Sequence, residues 1–536
     1  MPELSTADHS CTPPDVTVPE RYNAAFDLLQ RNLRAGRGDK VAFIDDQGTY
    51  TYAWLEAATA RFAGLLQARG VRREERVLLC LHDSIDFPVA FLGAIRAGII
   101  PVPVNTLLKS EDYQYMYQYS RARLAVVSAP LKEAFTPFVE VGDMLVSGGE
   151  GDLSLAAAMA SATPDDTYAD TLADEACFWL FSSGSTGMPK GTVHIHASMI
   201  RTAEYYARPL LDISENDVVF SAAKLFFAYG LGNGLSFPMS VGATAVLMAE
   251  RPTPAAVAQR LTEHQPNIFY GVPTLYAGML ASDTLPARDA VSLRLCTSAG
   301  EALPPEISRR WREHFGVEIL DGIGSTEMLH IFLSNRSDDV QDGTTGLPVP
   351  GYEVRLVDDE GRVIEGNGES GELHIKGLTS AAFYWNNRTK SRHTFIGEWT
   401  RSGDKYSRNE QGYYVYAGRS DDMLKVSGIY VSPIEVENVL MQHECVLEAA
   451  VVGKEDNDGL IKPAAFVVLK ANFNPDEALA IDLKAYVKSQ LAPYKYPRWF
   501  SFVDDLPKTA TGKIQRFRLR TATAEEDALL TVETRS

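Results

Sequence analysis

Residues 181–191 read FSSGSTGMPKG, a run of small and hydroxylated residues that ends near a single lysine. Glycines such as Gly184 and Gly187 let backbone N–H groups approach a ligand closely, and Lys190 adds a point charge suited to phosphate. Further hydroxyl donors come from Ser182, Ser183, Ser185 and Thr186. The stretch predicts a phosphate cradle, with a solvated Gly/Ser linker as the alternative.

The flanking segments favour the cradle over the linker. CFWLF at 177–181 has the composition of a buried strand, and TVHIHASMI at 192–200 is apolar again. A flexible linker is not normally held between two such segments. The spacing is not that of a P-loop, because G-x-x-x-x-G-K-[ST] is absent and Lys190 lies between a proline and a glycine.

Four other short stretches have the composition of a site. DGIGSTE at 321–327 offers Glu327 beside hydroxyls, a donor set that suits Mg²⁺. SAGEALP at 298–304 is a glycine turn after an apolar strand, and RSGDKY at 401–406 places Asp404 in a predicted turn. PKTATGKIQR at 507–516 carries Lys513 on a small loop. Taken singly, each stretch is better explained as an ordinary surface or turn segment.

The elements that must position these stretches are apolar strands alternating with helices. This alternation predicts a mainly parallel sheet that is covered by helices on both faces. The segments that carry the pattern are the helices around 53–69 and 87–98 and the strands at 77–81, 99–104, 125–130 and 243–249. Residues 351–377 and 395–417 alternate and turn like a small antiparallel region.

The chain has 536 residues, which predicts more than one domain, and the best boundary lies in GRSDDML at 418–424. Beyond it, Ser432, Pro433 and Glu435 form the start signal of a helix over 431–443. Strands at 449–453 and 464–469 and a helix at 478–491 follow. We therefore predict an N-terminal domain over 1–420 and an α+β C-terminal domain over 421–536.

The bulk composition excludes several classes of protein. A net charge of −19 argues against nucleic-acid and anionic-membrane partners, although it does not exclude a local basic pocket for ATP. The five cysteines are scattered without a C-x-x-C motif, which is typical of reduced thiols. The polar N-terminus lacks signal-peptide character, and no apolar run reaches the ~20 residues of a membrane span. These features predict a cytoplasmic protein.

The site-like stretches occur in one order, FSSGSTGMPKGTVH, GIGSTE, GELHIKG, RSGD, YAGRSDD and PKTATGKIQR. As a set they closely resemble the adenylate-forming superfamily, which includes acyl-CoA synthetases, luciferases and the adenylation domains of peptide synthetases. The resemblance extends from about residue 20 to 520. It implies a large N-terminal domain of stacked, doubly covered sheets with a barrel-like antiparallel region, and a small mobile α+β C-terminal domain.

The resemblance also implies a two-step reaction with ATP, Mg²⁺ and coenzyme A. A carboxylate attacks the α-phosphate of ATP to give an acyl-adenylate and pyrophosphate, and the CoA thiol then displaces AMP. Residues 182–190 would hold the β- and γ-phosphates, Thr186 and Thr326 would touch phosphate oxygens, and Glu327 would hold Mg²⁺. Lys513 would bridge the carboxylate and the α-phosphate, where developing charge needs preorganised cations.

The resemblance assigns the remaining nucleotide contacts and the domain rotation. The residues expected to border the adenine are Gly300, Glu301, Asp321 and Ile323, the last at a position where many members carry an aromatic residue. Asp404 would accept hydrogen bonds from the ribose, with Arg419 beside it. Asp421 would be the hinge between the two half-reactions, and Gly428 would line the tunnel for the pantetheine arm of CoA.

The acid pocket is expected to be flat and apolar, which suits an aryl ring. Its predicted lining is Phe227, Ala228, Tyr229, Tyr270, Gly324, His330 and Ile331. Phe227 stands where the superfamily often has histidine. KLFFAYGLGNGLSFP and GSTEMLHIFLSN are similar to the same stretches of benzoate–CoA ligases, and this resemblance, rather than pocket composition, implies benzoate as the substrate.

Several alternatives stay open. His330 keeps 4-hydroxybenzoate as a candidate acid, 2-aminobenzoate is another, and each pocket aromatic has core packing as its ordinary explanation. The chain could instead load an aryl group onto a carrier protein, or bind ligands without catalysis. His194 and His196 lack a third metal ligand nearby, which disfavours a metal site. The resemblance gives a homodimer only as a weak expectation.

Overall fold

The structure is a computed structural model that describes residues 2–184, 187–419, 422–426, 429–456, 460–492, 494–508, 514–520 and 528–534. The side chains of residues 183, 184, 187, 425, 429 and 430 are not part of this description. Five residues singled out above lie outside the described residues: Ser185, Thr186, Asp421, Gly428 and Lys513. The predicted domain boundary between residues 420 and 421 lies outside them as well.

A nine-stranded sheet forms the centre of the large N-terminal part, counted over the described residues. Its inner strands are parallel, and residues such as Phe269 and Tyr270 are buried because helices cover both faces. In sheet order the strands are Leu347–Pro348, Ile331–Ser334, Ile319–Gly324, Leu295–Ser298, Ile268–Gly271, Val218–Ser221, Thr244–Val246, Val41–Asp45 and Gly48–Thr51. The predicted parallel, doubly covered sheet is confirmed.

Smaller sheets pack beside this one. A parallel sheet consists of Ile100–Pro103, Arg76–Cys80, Ala122–Ser128 and Met144–Ser147. An antiparallel sheet consists of Phe383–Tyr384, Gly187–Ile195 and Ala176–Gly184. A short ribbon near the N-terminus pairs Thr6–Asp8 with Asp15–Thr17. The predicted strands at 77–81, 99–104, 125–130 and 177–181 are therefore present.

The predicted antiparallel region is also confirmed. Its strands are Val363–Ile364, Glu353–Val357, Gly371–Lys376, Trp399–Arg408, Phe395–Ile396 and Tyr414–Arg419. One expectation was wrong, because Asp404 lies within Trp399–Arg408 rather than in a turn. Ladder pairs Glu372–Lys405 and His374–Arg401 leave residues 402–404 opposite one residue, so the strand bulges there. The bulge, with Gly403 at φ +74°, produces the turn-like sequence signal.

The C-terminal part has its own α+β layer. Its sheet contains Val446–Glu455, Ile461–Leu469, Trp499–Phe502 and Leu530–Glu533, and a ribbon pairs Leu424–Val426 with Ile429–Val431. The predicted helix start is present, since the Glu435 N–H donates to Ser432 Oγ over 3.3 Å. The helix Pro433–Met441 buries Val436 and Leu440 against the sheet.

The helices of the described residues alternate with the strands or lie beside them. The α-helices are Ala24–Arg34, Tyr52–Ala68, Asp86–Arg96, Ser110–Ser120, Leu155–Ser161, Ala197–Thr202, Arg208–Leu211, Ala228–Leu231, Phe237–Val241, Pro254–His264, Pro273–Leu280, Pro305–Phe315, Arg388–Thr394, Pro433–Met441, Glu477–Gln490 and Arg516–Leu519. Two π-helical segments interrupt them, Ala203–Ala207 and Gly232–Ser236. In this part of the chain no helix is both long and apolar enough to cross a membrane.

The hydrophobic clusters divide along the chain. The buried members of four clusters come wholly from residues 22–414, and those of two others come wholly from residues 424–532. The large cluster contains Phe178, Tyr206, Tyr270 and Leu333, which surround the sheet edge described next. The C-terminal part thus has hydrophobic cores of its own.

Candidate active site

The site lies at the carboxyl ends of the parallel strands, where open α/β sheets bind ligands. The strands Ile268–Gly271, Leu295–Ser298 and Ile319–Gly324 are neighbours in the sheet and run in the same direction. Tyr270 lies near the end of the first strand, Gly300 follows the second and Gly324 ends the third. All three residues therefore lie at the same edge of the sheet. This arrangement brings together stretches that are separated by 20 to 30 residues in sequence.

The glycine- and serine-rich stretch forms the end of an antiparallel hairpin. Ala176–Gly184 pairs with Gly187–Ile195, and Lys190 lies opposite Ser182 in the ladder. Ser182 is buried, and its hydroxyl lies 3.4 Å from that of Thr192. More of the stretch is strand than we expected, because its described residues, up to Gly184 on one side and from Gly187 on the other, belong to the ladder. A hairpin fixes the position of Lys190, as a solvated linker would not.

Lys190, Tyr384 and Glu327 form a connected group. Lys190 Nζ lies 5.1 Å from the centre of the Tyr384 ring, a cation–π distance. The Tyr384 hydroxyl donates to Glu327 Oε1 over 2.7 Å. Burial lowers the pKa of Lys190, although the negative charge of Glu327 acts to raise it. Burial also raises the pKa of Tyr384. The hydrogen bond orients the carboxylate that the sequence assigned to Mg²⁺.

The Glu327 carboxylate is a suitable ligand for Mg²⁺ in the form that accompanies a nucleotide. Among the described residues there is no cluster of three or more His, Cys, Asp or Glu that could hold a metal ion. Mg²⁺ commonly takes one or two carboxylates and fills its other positions with phosphate oxygens and water. A single oriented carboxylate beside a lysine therefore fits Mg²⁺ bound together with a polyphosphate.

The two histidines of the phosphate-loop motif have structural partners. His194 Nε2 lies 2.8 Å from the Thr326 carbonyl oxygen, so it supports the segment that carries Thr326 and Glu327. The Ala24 N–H donates to His196 Nδ1 over 3.1 Å. Burial lowers the pKa of each to about 4, which keeps both rings neutral near pH 7. Each contact gives one ring nitrogen a structural role.

The residues assigned to adenine lie in or directly after two neighbouring strands of the sheet. Gly300 has φ +99°, a conformation that favours glycine. Asp321 is buried, its pKa is raised well above the usual range by burial, and within the described chain its Oδ1 has no hydrogen-bond partner. Ile323 is half-buried in the strand beside Leu333. An unpartnered buried oxygen is a ready acceptor for an exocyclic amine.

Glu301 connects this edge to the C-terminal part. The N–H of Ile514 donates to Glu301 Oε1 over 2.8 Å. Ile514 also forms an isolated bridge with Lys508 at the base of the PKTATGKIQR segment. The residue that directly follows Lys513 in sequence thus lies beside the adenine-side carboxylate.

Asp404 and Arg419 lie side by side, as expected. They are paired in the ladder, and Arg419 Nη1 lies 3.3 Å from Asp404 Oδ1. The bulge at residues 402–404 turns the Asp404 N–H toward Ser402 Oγ at 3.0 Å. A carboxylate fixed in this way can accept two hydrogen bonds from a vicinal diol.

Contacts link five of the seven predicted acid-pocket residues, namely Tyr229, Tyr270, Gly324, His330 and Ile331. The Tyr229 ring centre lies 5.6 Å from that of His330 and 6.4 Å from that of Tyr270. A Cβ on Gly324 would lie 2.7 Å from the His330 backbone, so only glycine fits there. Ile331 pairs with Gly324 across the strands. Phe227 precedes the helix Ala228–Leu231, and its ring lies 4.5 Å from that of Phe226.

His330 is fully enclosed and neutral. Its ring packs 4.4 Å from the ring centre of Phe237 and 5.3 Å from that of Tyr206. Burial lowers its pKa to about 3. Nε2 lies 3.3 Å from the Tyr229 carbonyl oxygen, an acceptor, so Nε2 carries the proton and Nδ1 is a bare acceptor. Nδ1 has no partner among the described residues.

Sequence reasoning missed the residues that support this pocket from behind. They are Tyr206, Asn233, Phe237 and Thr297. Asn233 Oδ1 lies 3.1 Å from His330 Nε2. Thr297 Oγ1 lies 2.6 Å from the Tyr229 hydroxyl. Asn233 offered one signal, since it is a polar residue inside an otherwise apolar, glycine-rich segment. Tyr206 offered none, because only the π-helical turn Ala203–Ala207 directs it toward His330.

Comparisons with known proteins agree with this geometry. The family model described as AMP-binding enzyme matches residues 29–385, and that for the AMP-binding enzyme C-terminal domain matches residues 435–513. A benzoate–CoA ligase from Thauera aromatica is 63% identical over 527 residues, covering 97% of this chain and 100% of the relative.

Two solved structures are similar over nearly the whole chain. A benzoate CoA ligase from Burkholderia xenovorans LB400 has a TM-score of 0.89 at 58% identity, covering 93% of this chain and 100% of that one. An anthranilate CoA ligase in complex with anthranoyl-AMP has a TM-score of 0.90 at 41% identity, covering 95% and 99%. These relatives are named for an aromatic acid and CoA.

Proposed function

Because the chain belongs to the AMP-binding enzyme family, we propose that it is an AMP-forming benzoate–CoA ligase. In the first step a benzoate oxygen attacks the α-phosphorus of ATP, giving benzoyl-AMP and pyrophosphate. In the second step the CoA sulfur attacks the acyl carbon, and AMP leaves. The adenylate is needed because an ionised carboxylate has no acceptable leaving group.

The observation that carries this proposal is the cluster of contacting aromatic rings beside the nucleotide groups. Tyr229, Tyr270 and His330 present flat faces at the same strand ends that carry Asp321 and Glu327. None of the three rings is charged near neutral pH, because burial raises the pKa of both tyrosines and lowers that of His330. An uncharged aryl ring fits such a lining, and its carboxylate would point toward the phosphates.

The nucleotide enters as its magnesium complex in this proposal. Glu327 would hold Mg²⁺, Lys190 would balance charge on the β- and γ-phosphates, and Asp404 would hold the ribose. Thr186 and Lys513 keep the phosphate roles that the resemblance implies. Preorganised charge of this kind stabilises the transition state of phosphoryl transfer without reorganisation during the reaction.

The test is AMP release from ATP and benzoate by the purified chain, with and without free CoA. CoA-dependent AMP formation with benzoyl-CoA as the product supports the proposal. Benzoate-dependent pyrophosphate exchange without turnover of CoA would instead favour loading of a carrier protein. Absence of any response to benzoate would overturn the substrate assignment.

A second candidate acid is 4-hydroxybenzoate, which one observation favours. His330 Nδ1 is a buried acceptor without a partner in the described chain, and a hydroxyl on the ring could donate to it. Ring substituents change affinity by only about 1–3 kcal/mol in an apolar pocket. Competition between benzoate and 4-hydroxybenzoate in one assay ranks the two by the ratio of kcat/KM.

Tyr384→Phe is expected to lower kcat/KM for MgATP by roughly 10-fold. The change removes the hydroxyl that donates to Glu327 but keeps the ring beneath Lys190. A hydrogen bond to a charged group contributes about 1.5–3 kcal/mol, so its loss frees the carboxylate to leave the metal position. Initial rates measured over a range of Mg²⁺ concentrations check this, and the Mg²⁺ requirement should rise while KM for benzoate stays unchanged.

Tyr52→Phe is the matched control for this variant. It also removes a buried tyrosine hydroxyl. This hydroxyl donates to the Ala243 carbonyl oxygen at a distance of 2.7 Å and does not contact Glu327. Its Mg²⁺ dependence should equal that of the wild type. Equal Mg²⁺ curves for the Tyr384 variant and this control would show that the hydrogen bond does not orient the metal ligand.

We further propose the domains, location and assembly that fit this activity. The boundary would lie between residues 1–420 and 421–536, with Asp421 as the hinge. A cytoplasmic location fits the five free cysteines, of which four are buried. A homodimer rests on the resemblance alone, and light scattering of the purified chain tests it.

A further inference from the structure

The helix Arg388–Thr394 contains several basic residues and follows the strand Phe383–Tyr384, which pairs with the phosphate hairpin. Arg388 and Arg392 are exposed, whereas Lys390 is half-buried. His393 Nε2 is engaged by Arg401 at 3.1 Å. Lys390 is therefore the basic residue of this helix that turns inward rather than into solvent.

Hydrogen bonds fix this helix to the strand that carries Tyr384. The Tyr384 N–H donates to Ser391 Oγ over 3.0 Å, and Ser391 Oγ donates to the Asn387 carbonyl over 2.8 Å. Asn387 caps the helix by accepting from the Lys390 N–H over 3.1 Å. Lys190 lies over the Tyr384 ring and Lys390 lies in the helix bonded to the Tyr384 backbone, so both lysines belong to segments that contact Tyr384.

Lys190 and Lys390 lie close enough for their charges to interact, and the carboxylate whose field reaches Lys190 is Glu327. Within the residues that the structure describes, neither lysine forms an ion pair with a carboxylate. Nearby lysines of the antiparallel region are paired, Lys376 with Glu353 and Lys405 with Asp359. Burial is the main cause that lowers the pKa of Lys190, and the positive charges of Lys390 and Arg419 lower it further.

Two neighbouring lysines that form no ion pair among the described residues are unusual in a chain with a net charge of −19, where carboxylates are abundant. Like charges repel at short range, and partial burial reduces the screening by water. The arrangement is stable when an anion with several negative oxygens lies between the ammonium groups. Glu327, which accepts the hydrogen bond of the Tyr384 hydroxyl, marks where the metal-bound end of that anion would lie.

We propose that Lys390 binds the pyrophosphate portion of ATP, and the pyrophosphate released from it, from the side opposite the glycine-rich hairpin. The inference extends the proposed function by one binding residue. Lys190 would contact the anion from the hairpin and Lys390 from the helix Arg388–Thr394. The second half-reaction contains no pyrophosphate, so Lys390 would have no part in it.

The direct test is calorimetric titration of the full chain with magnesium pyrophosphate, in the absence of any acid. We expect Lys390→Ala to weaken binding by roughly 10-fold or more, the usual effect of losing a charge-assisted contact. Arg392→Ala is the matched control, because it removes the same charge from the same helix at an exposed position. Lys390→Arg should retain most of the affinity.

Kinetic measurements separate this proposal from the proposed function. Lys390→Ala should raise KM for pyrophosphate in benzoate-dependent exchange, while conversion of supplied benzoyl-AMP to benzoyl-CoA stays at the wild-type rate. Equal pyrophosphate affinity in Lys390→Ala and Arg392→Ala, or no binding by the wild type, would overturn the role of Lys390. Normal pyrophosphate binding without benzoate-dependent exchange would overturn the benzoate assignment and leave Lys390 in place.

Discussion

Lys513→Ala is expected to lower the rate of benzoyl-AMP formation by about 10²–10³-fold, the usual effect of losing one group that stabilises charge in a transition state. The hydrogen bond from Ile514 to Glu301 supports this expectation, since it brings the neighbouring residue to the nucleotide edge. Conversion of supplied benzoyl-AMP to benzoyl-CoA should be unaffected. Pyrophosphate exchange and single-turnover thioester formation measure the two steps separately.

Lys508→Ala is a suitable control, because this lysine lies at the base of the same segment. Its ammonium is held by Glu448 and Asp505, each at 2.7 Å, and is therefore not available to a ligand. The Lys508 variant should change neither step.

Gly428→Leu should have the effect opposite to that of Lys513→Ala. Thioester formation should be lost and adenylation kept, because a side chain at the position that the resemblance assigns to the tunnel would obstruct the pantetheine arm. Equal loss of both steps in both variants would contradict domain alternation.

Gly230→Ala is expected to destabilise the acid pocket more than a conservative substitution of any residue that lines the pocket. The added Cβ would lie 2.1 Å from the Lys224 carbonyl oxygen and 2.5 Å from that of Ala223. Both atoms are backbone, so the segment leading to Phe227 must move. Overpacking costs about 1–3 kcal/mol of folding free energy, so the variant should unfold at a lower temperature and kcat/KM for benzoate should fall.

Gly234→Ala is the control for this change within the same glycine-rich segment. Its Cβ would meet the end of the Leu225 side chain at 3.0 Å, and that side chain can rotate. Benzoate kinetics together with thermal unfolding of both variants check the prediction. Affinity for MgATP should stay unchanged in each. A Gly230 variant with wild-type benzoate kinetics would show that the backbone contact is not needed to shape the pocket.

The fold was largely predictable because its signals are local. The strands around 177–181 and 449–453 and the helix after Ser432 follow from apolar runs and a capping residue. The bulge at Asp404 was not predictable in the same way. Gly403 predicts a turn from its own neighbourhood, whereas the ladder with the strand Gly371–Lys376 keeps the segment extended. Pairing between distant strands overrode the local preference.

The candidate site divides in a similar way. Motif residues such as Lys190, Glu327 and Asp404 could be assigned from their types and order. Tyr384 could not, because its part in orienting Glu327 depends on a strand that joins the hairpin from about 190 residues further along the chain. Tyr206 depends on a π-helical turn that no residue type signals. Supporting contacts of this kind follow from tertiary packing rather than from sequence pattern.

The division of the hydrophobic clusters between residues 22–414 and 424–532 has a consequence for stability. Two groups of buried side chains that share no members can lose their packing at different temperatures. A single melting temperature or free energy of unfolding then does not describe the whole chain. Benzoate would protect the larger core directly, by mass action on its folded form, and would leave the smaller core to melt by itself.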